Sequence, residues 1–263
     1  MRDVFPPLVN FHRIEAVPAT LLRGRGNAAA RALAGAEWLL RRKADGRYLA
    51  VVARGRIVAL MPGTLQRELG RTPPDEVARR LSRAHEPGDG AMLPLAPLRG
   101  MLAALGIDAR YGVARGLALV PEPARLCFAG WDRYQRPLWL TTRAAEAWQR
   151  MCAAAAREGV VLEAISGYRS HAYQLGIFRR KLARGMALDG ILAVNAAPGY
   201  SEHHSGCALD IGTLGEPPAE ESFEATAAFA WLHARAVAFG FSMSYPRGNP
   251  HGIVYEPWHW CFR

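Results

Sequence analysis

Apolar positions along the chain fall into a clear pattern from residue 142 onward and a weaker one before it. Trp148, Met151, Cys152 and Ala155 recur at i, i+3, i+4 and i+7, and Gly159 follows the run. That spacing predicts an amphipathic helix over 143–158 ending at a glycine cap. The apolar run VVLEAI at 160–165 predicts a short buried strand. Residues 166–170 read as a turn into a second helix over 171–184, with Ser170 as N-cap. A third helix over 224–239 ends at Gly240. A strand follows at 241–245, and 252–260 forms a last strand after the Pro250 break. Helices and short strands in mixed order predict an α+β fold with a small antiparallel sheet and flanking helices.

The first half carries fewer signals. Good helix formers at 27–43, with basic residues at the end, predict a helix. Residues 48–52 and 57–61 predict a hairpin around Gly55. Helices are expected over 75–85 and 96–105. The string RYLAVVARGRIVALMP at 47–62 is loosely echoed, across a gap, by RYGVARGLALVP at 110–121, which reads either as a duplicated strand pair or as chance. Nothing here carries chemistry. The expected organisation is an α+β accessory domain over 1–125 and a second domain over 126–263, joined at Pro121-Glu122-Pro123.

Charge sharpens that division. The chain of 263 residues has a formal net charge of +10. Residues 1–125 hold 20 basic and 11 acidic groups, and residues 126–263 hold 13 and 12. A basic first half can contact an anionic wall polymer, although a solvated arginine-rich surface accounts for it better. The basic residues are dispersed and no nucleic-acid motif accompanies them, so no nucleic-acid partner is expected. No apolar run approaches the ~18 residues that span a bilayer, so no transmembrane segment is expected. The start, MRDVFPPLVN, shows no apolar signal-peptide core. Four cysteines without a CxxC pair exclude a disulfide scaffold and a cysteine zinc cage; buried free thiols are expected.

Polar residues in the second half point to chemistry. In Ser201-Glu202-His203-His204-Ser205-Gly206-Cys207-Ala208-Leu209-Asp210, His203 and Asp210 stand seven apart. A loop running into a strand can aim both at one point, with Gly206 allowing the sharp approach. In Glu256-Pro257-Trp258-His259-Trp260, strand alternation turns the imidazole away from both tryptophans. Two histidines and one carboxylate make a three-ligand set with an open fourth position, the mark of a catalytic metal. Glu256 can stand beside such a metal as general base. Tyr168 and Trp258 can wall a pocket; core packing accounts for either equally well. His204 reads as structural or solvent-facing, and His12, His85, His171, His233 and His251 have no partner pattern.

The segments SGYRS at 166–170, GYSEHHSGCALDIG at 199–212 and YEPWHW at 255–260 together resemble the VanY-type zinc D-alanyl-D-alanine carboxypeptidases, relatives of peptidoglycan D,D- and L,D-peptidases. The resemblance extends over about 126–263. It implies one Zn2+ per chain held by His203, Asp210 and His259, with Glu256 as the base assisting attack of a zinc-bound water. It implies that Arg169 contacts the substrate carbonyl or carboxylate, and that Ser201 and Gln174 line the pocket. The implied substrate is the C-terminal D-alanine of peptidoglycan stem peptides, which lies in the periplasm or cell envelope. L,D-carboxypeptidase or endopeptidase action, or a non-catalytic wall-binding module, are the alternatives. Three departures bear on substrate preference: Cys207 in place of an aliphatic residue, Ser244 in place of a frequent arginine, and Cys261-Phe262 in place of Arg-Tyr.

Overall fold

A computed structural model describes residues 6–24, 26–70, 72–86 and 90–263. Met1 to Phe5, half of the stretch read for a leader, lie outside the described residues. The chain divides into two units, Met1–Leu93 with Pro123–Phe128, and Pro94–Glu122 with Ala129–Arg263.

In the first unit, β1 (Pro7–Asn10), β2 (Ile14–Pro18), β3 (Trp38–Arg42), β4 (Tyr48–Ala53) and β5 (Arg56–Ala59) form an antiparallel sheet in the order β5-β4-β3-β2-β1. The strand β6 (Arg125–Trp131) adds beside β1 through Arg125, Leu126 and Cys127. Three helices, α1 (Asn27–Ala34), α2 (Pro62–Leu69) and α3 (Pro74–Ser82), complete the unit. Phe11, Trp38, Leu40 and Leu49 pack with Leu65, Val77 and Leu81 in its core. The expected hairpin is present, with Ala53 paired to Arg56 across a two-residue turn in which Arg54 and Gly55 both have positive φ. The helix expected over 27–43 is not continuous. It stops before Gly35, and Trp38-Leu39-Leu40 enter the middle of the sheet, where burial of three consecutive large apolar side chains outweighs helix propensity.

The second unit contains α4 (Leu98–Ala103), α5 (Tyr111–Ala114), β7 (Pro137–Leu140), α6 (Thr142–Arg157), β8 (Glu163–Ser166), α7 (His171–Ala183), α8 (Leu188–Val194), β9 (Ala208–Gly212), α9 (Ala227–Arg235), β10 (Phe241–Met243) and β11 (His259–Phe262). Its four-stranded sheet runs β10-β11-β9-β8, antiparallel throughout. The α6 helix buries Trp148, Met151 and Ala155 as the spacing predicts. Ser170 caps α7 by accepting the Tyr173 N–H.

Several boundaries move. Pro94–Glu122 packs with the C-terminal residues, so the division expected at 125/126 instead falls within β6. Leu105, Ile107 and Tyr111 share one core with Leu175, Phe178 and Ile191. Complete burial of a side chain such as Phe178 contributes roughly 1.5–3 kcal/mol. The echo at 110–121 is not a second strand pair, because its first residues form α5 and the Tyr111 hydroxyl accepts the Ala197 N–H. The strand expected over 160–165 begins only at Glu163, since Val161 is 54% exposed and gains nothing from pairing there. The last strand also starts late, at His259. Pro257, which has no N–H to donate, precedes the strand, so Trp258 lies outside the ladder that holds His259 and Trp260. Among the described residues no helix is long and apolar enough to cross a membrane, and all four cysteines are free.

Candidate metal centre

Three separate elements deliver the ligand set. Asp210 sits in the middle of β9, and the β9–β11 register pairs it directly with His259. His203 lies in the short 3-10 turn Glu202–Ser205, which Gly206 ends in the left-handed region at φ 69°. That turn folds the imidazole back over the start of β9. One ligand atom from each of His203, Asp210 and His259 lies within 4.8 Å of the other two, and all three residues are buried.

The atoms are arranged for a cation. The Gly167 carbonyl stands 2.7 Å from His203 Nδ1, so that nitrogen must carry the proton. Burial and the nearby Arg169 charge depress the His203 pKa to about 4, which leaves Nε2 with a bare lone pair. That lone pair faces Asp210 Oδ1 at 3.2 Å, two electron-rich atoms with no hydrogen between them. His259 presents Nδ1 to the same oxygen at 3.1 Å, while its Nε2–H donates to Glu202 Oε2 at 3.0 Å. The residues therefore fit a divalent metal that takes imidazole and carboxylate ligands. Nitrogen and oxygen donors are present, and each histidine's other ring nitrogen is fixed by a backbone or carboxylate oxygen.

Glu256 approaches without joining. Its Oε2 is 3.8 Å from His259 Nδ1. Burial, opposed by His259 and reinforced by the Asp210 charge, raises its pKa to about 7. Arg169 donates to Asp210 Oδ2 at 2.9 Å, and its Nε is buried without a hydrogen-bond partner among the described residues. Both residues line a pocket with His203, His259, Ser201 and Gln174. Gln174 donates to the Ala196 carbonyl at 3.0 Å, and its Oε1 is buried with no partner among the described residues. Tyr168 and Trp258 are not among the lining residues, which corrects the expectation that they wall the pocket. The Tyr168 hydroxyl instead donates to Glu122 at 2.5 Å. The Trp258 carbonyl accepts the Ile211 N–H beside the β9–β11 ladder.

Other participants are legible only in three dimensions. Glu202 stands in a position that strand or helix periodicity does not mark. Burial opposes its ionisation, but His259 and Arg263 hold its pKa down to about 2. Arg263 donates to Glu202 Oε1 at 2.6 Å and to Ser244 Oγ at 3.4 Å, reaching both a departing position and the support of a ligand. Tyr245 packs its ring 4.8 Å from that of His259. His204 is fully buried and structural, donating from Nδ1 to the Arg169 carbonyl and accepting the Gly199 N–H at Nε2. His171, for which the sequence shows no partner pattern, makes structural contacts with Glu122 and Val120.

Comparison with known proteins places these residues in context. Residues 137–263 match the family model VanY, D-alanyl-D-alanine carboxypeptidase. YodJ of Bacillus subtilis (strain 168), which carries a provisional carboxypeptidase name, is 38% identical over 125 residues, 46% of this chain and 45% of that one. The chain thus spans about half the length of that relative. VanXYC of Enterococcus gallinarum, a bifunctional D-Ala-D-Ala dipeptidase and carboxypeptidase, is 28% identical over 147 residues, 54% of this chain and 75% of that one. The solved structure of the LdcB LD-carboxypeptidase aligns at a TM-score of 0.45 and 34% identity, covering 47% of this chain and 59% of the other. Over residues 137–263, the chain is similar to the VanY family of D-alanyl-D-alanine carboxypeptidases.

Proposed function

We propose that the chain is a zinc-dependent peptidase that removes the C-terminal D-alanine from peptidoglycan stem peptides in the cell envelope. The observation that carries this reading is the convergence of His203, Asp210 and His259 within 4.8 Å, with Glu256 beside them and free of ligation. A structural metal has no need of a neighbouring base. When bound by His203, Asp210 and His259, zinc would supply Lewis acidity, lowering the pKa of water and polarising the scissile carbonyl.

The remaining work belongs to the protein. Glu256, with a pKa near 7, takes a proton from the attacking water and returns it to the departing amine. Water oxygen forms a bond to the carbonyl carbon, the C–N bond breaks, and the amine leaves with the transferred proton. Arg169 keeps its charge throughout and aims it at the oxygen that becomes negative, or at the substrate carboxylate. Ser201 and Gln174 Oε1 orient the peptide from the pocket wall.

Glu256→Ala tests the reading. The variant is expected to retain zinc and lose turnover of a D-Ala-D-Ala-terminated pentapeptide; full activity would remove Glu256 from its role. Product masses from tetrapeptide, pentapeptide and cross-linked muropeptides separate D,D-carboxypeptidase, L,D-carboxypeptidase and endopeptidase action.

A further inference from the structure

Arg169 is held in place from its backbone, and the last residue of a segment outside the family match takes part. Pro94–Glu122 lies in the same unit as the metal centre and precedes the matched residues 137–263. It ends at Glu122, which is 3% exposed. A carboxylate so deeply buried must have its lone pairs satisfied. Its Oε2 accepts the Tyr168 hydroxyl at 2.5 Å, and its Oε1 accepts the His171 N–H at 2.8 Å. The same Oε1 stands 3.2 Å from His171 Nδ1, while His171 Nε2 meets the Val120 carbonyl at 2.8 Å. Glu122 therefore clamps residues 168 and 171, on either side of Arg169.

The Arg169 peptide is fixed as well. Its N–H donates to the His203 carbonyl at 3.2 Å, and its carbonyl accepts from His204 Nδ1 at 2.6 Å. The His204 ring packs edge-on against that of His171, with centroids 4.4 Å apart. The guanidinium then reaches Asp210 with one nitrogen and leaves Nε in the pocket wall with no partner among the described residues. An arginine with an unused buried donor awaits an acceptor, and its usefulness depends on where its backbone is pinned.

We infer that Glu122 is a positioning residue for Arg169, fixing the guanidinium to receive a substrate carboxylate or carbonyl oxygen. This rests on the peptidase reading given above. Glu122 does not meet the substrate and acts through the 168–171 turn. A displacement of about 1 Å at a positioned group can cost on the order of 100-fold in rate. Glu122→Gln keeps the size of the side chain but replaces one acceptor with a donor.

The test is a double-mutant cycle on the full zinc-loaded chain, reading kcat and KM with a D-Ala-D-Ala-terminated pentapeptide and zinc content in every variant. Glu122→Gln is expected to lower kcat/KM by about 10-fold or more, divided between kcat and KM as in Arg169→Lys, with zinc retained. In an Arg169→Ala background the same change is expected to cause no further loss. A full additional loss in that background, or wild-type kinetics in folded Glu122→Gln, overturns the inference. Should Glu122→Gln not fold, Tyr168→Phe, which removes the hydroxyl donor to the carboxylate, carries the cycle with the same outcomes. Calorimetric binding of the D-Ala-D-Ala dipeptide to zinc-loaded protein separates the two levels. No wild-type turnover overturns the peptidase reading, while dipeptide affinity that falls with Glu122→Gln only when Arg169 is present still sustains the coupling.

Discussion

Asp210 and His259 are 49 positions apart in sequence and directly opposite one another across β9 and β11. Their neighbours in the ladder, Leu209 with Trp260 and Ala208 with Cys261, are all buried, so the register is fixed by apolar packing on both sides of the sheet. A slip of one residue would turn every one of these side chains to the wrong face. The same hydrophobic pattern that forms the sheet thus sets the spacing of two candidate metal ligands, and only His203 depends on a loop.

Glu202 holds His259 through the nitrogen that does not face Asp210. Groups in this position typically govern 10–100-fold in metal affinity. Glu202→Ala is expected to weaken zinc binding within that range, measured by competition with a chromophoric chelator. Unchanged affinity would show that the Glu202–His259 contact does nothing for the metal.

Arg169→Ala is expected to retain zinc and lose roughly 100- to 1,000-fold in kcat, the usual cost of removing one donor to a developing oxyanion. The measurement is steady-state kinetics beside metal analysis. Loss of zinc in this variant would move the role of Arg169 from substrate to the support of Asp210.

A fragment beginning at residue 126 lacks Leu105, Ile107 and Tyr111, which are buried with Phe178 and Ile191 in the helical core of the second unit. Deleting a single large buried side chain costs roughly 2–5 kcal/mol, against a total stability of about 5–15 kcal/mol. The fragment is expected to show no cooperative thermal transition. A melt within a few degrees of the full chain would contradict the assignment of Pro94–Glu122 to that unit.

Local signals were legible where neighbouring residues alone decide the outcome. The Trp148–Ala155 stripe, the Ser170 cap and the Arg54-Gly55 turn all depend on spacing or turn chemistry within a few positions. The candidate ligands His203, Asp210 and His259 stood out because they sit in short motifs, and the structure brings those residues together. What escaped depends on distant partners. Trp38-Leu39-Leu40 become a strand only because β2 and β4 flank them. Glu202 matters because β11 returns beside it, and Tyr168 faces Glu122 rather than the pocket because a segment 46 residues earlier offers a buried carboxylate.

The zinc content of the purified 263-residue chain, compared with that of His203→Ala, tests the central claim most directly. The account predicts one zinc per wild-type chain, removable by chelator with loss of peptide cleavage and restored on addition of zinc, and no stoichiometric zinc in the variant. A wild-type chain that cleaves the stem peptide while holding no metal, or a variant that binds zinc as tightly as the parent, would contradict it.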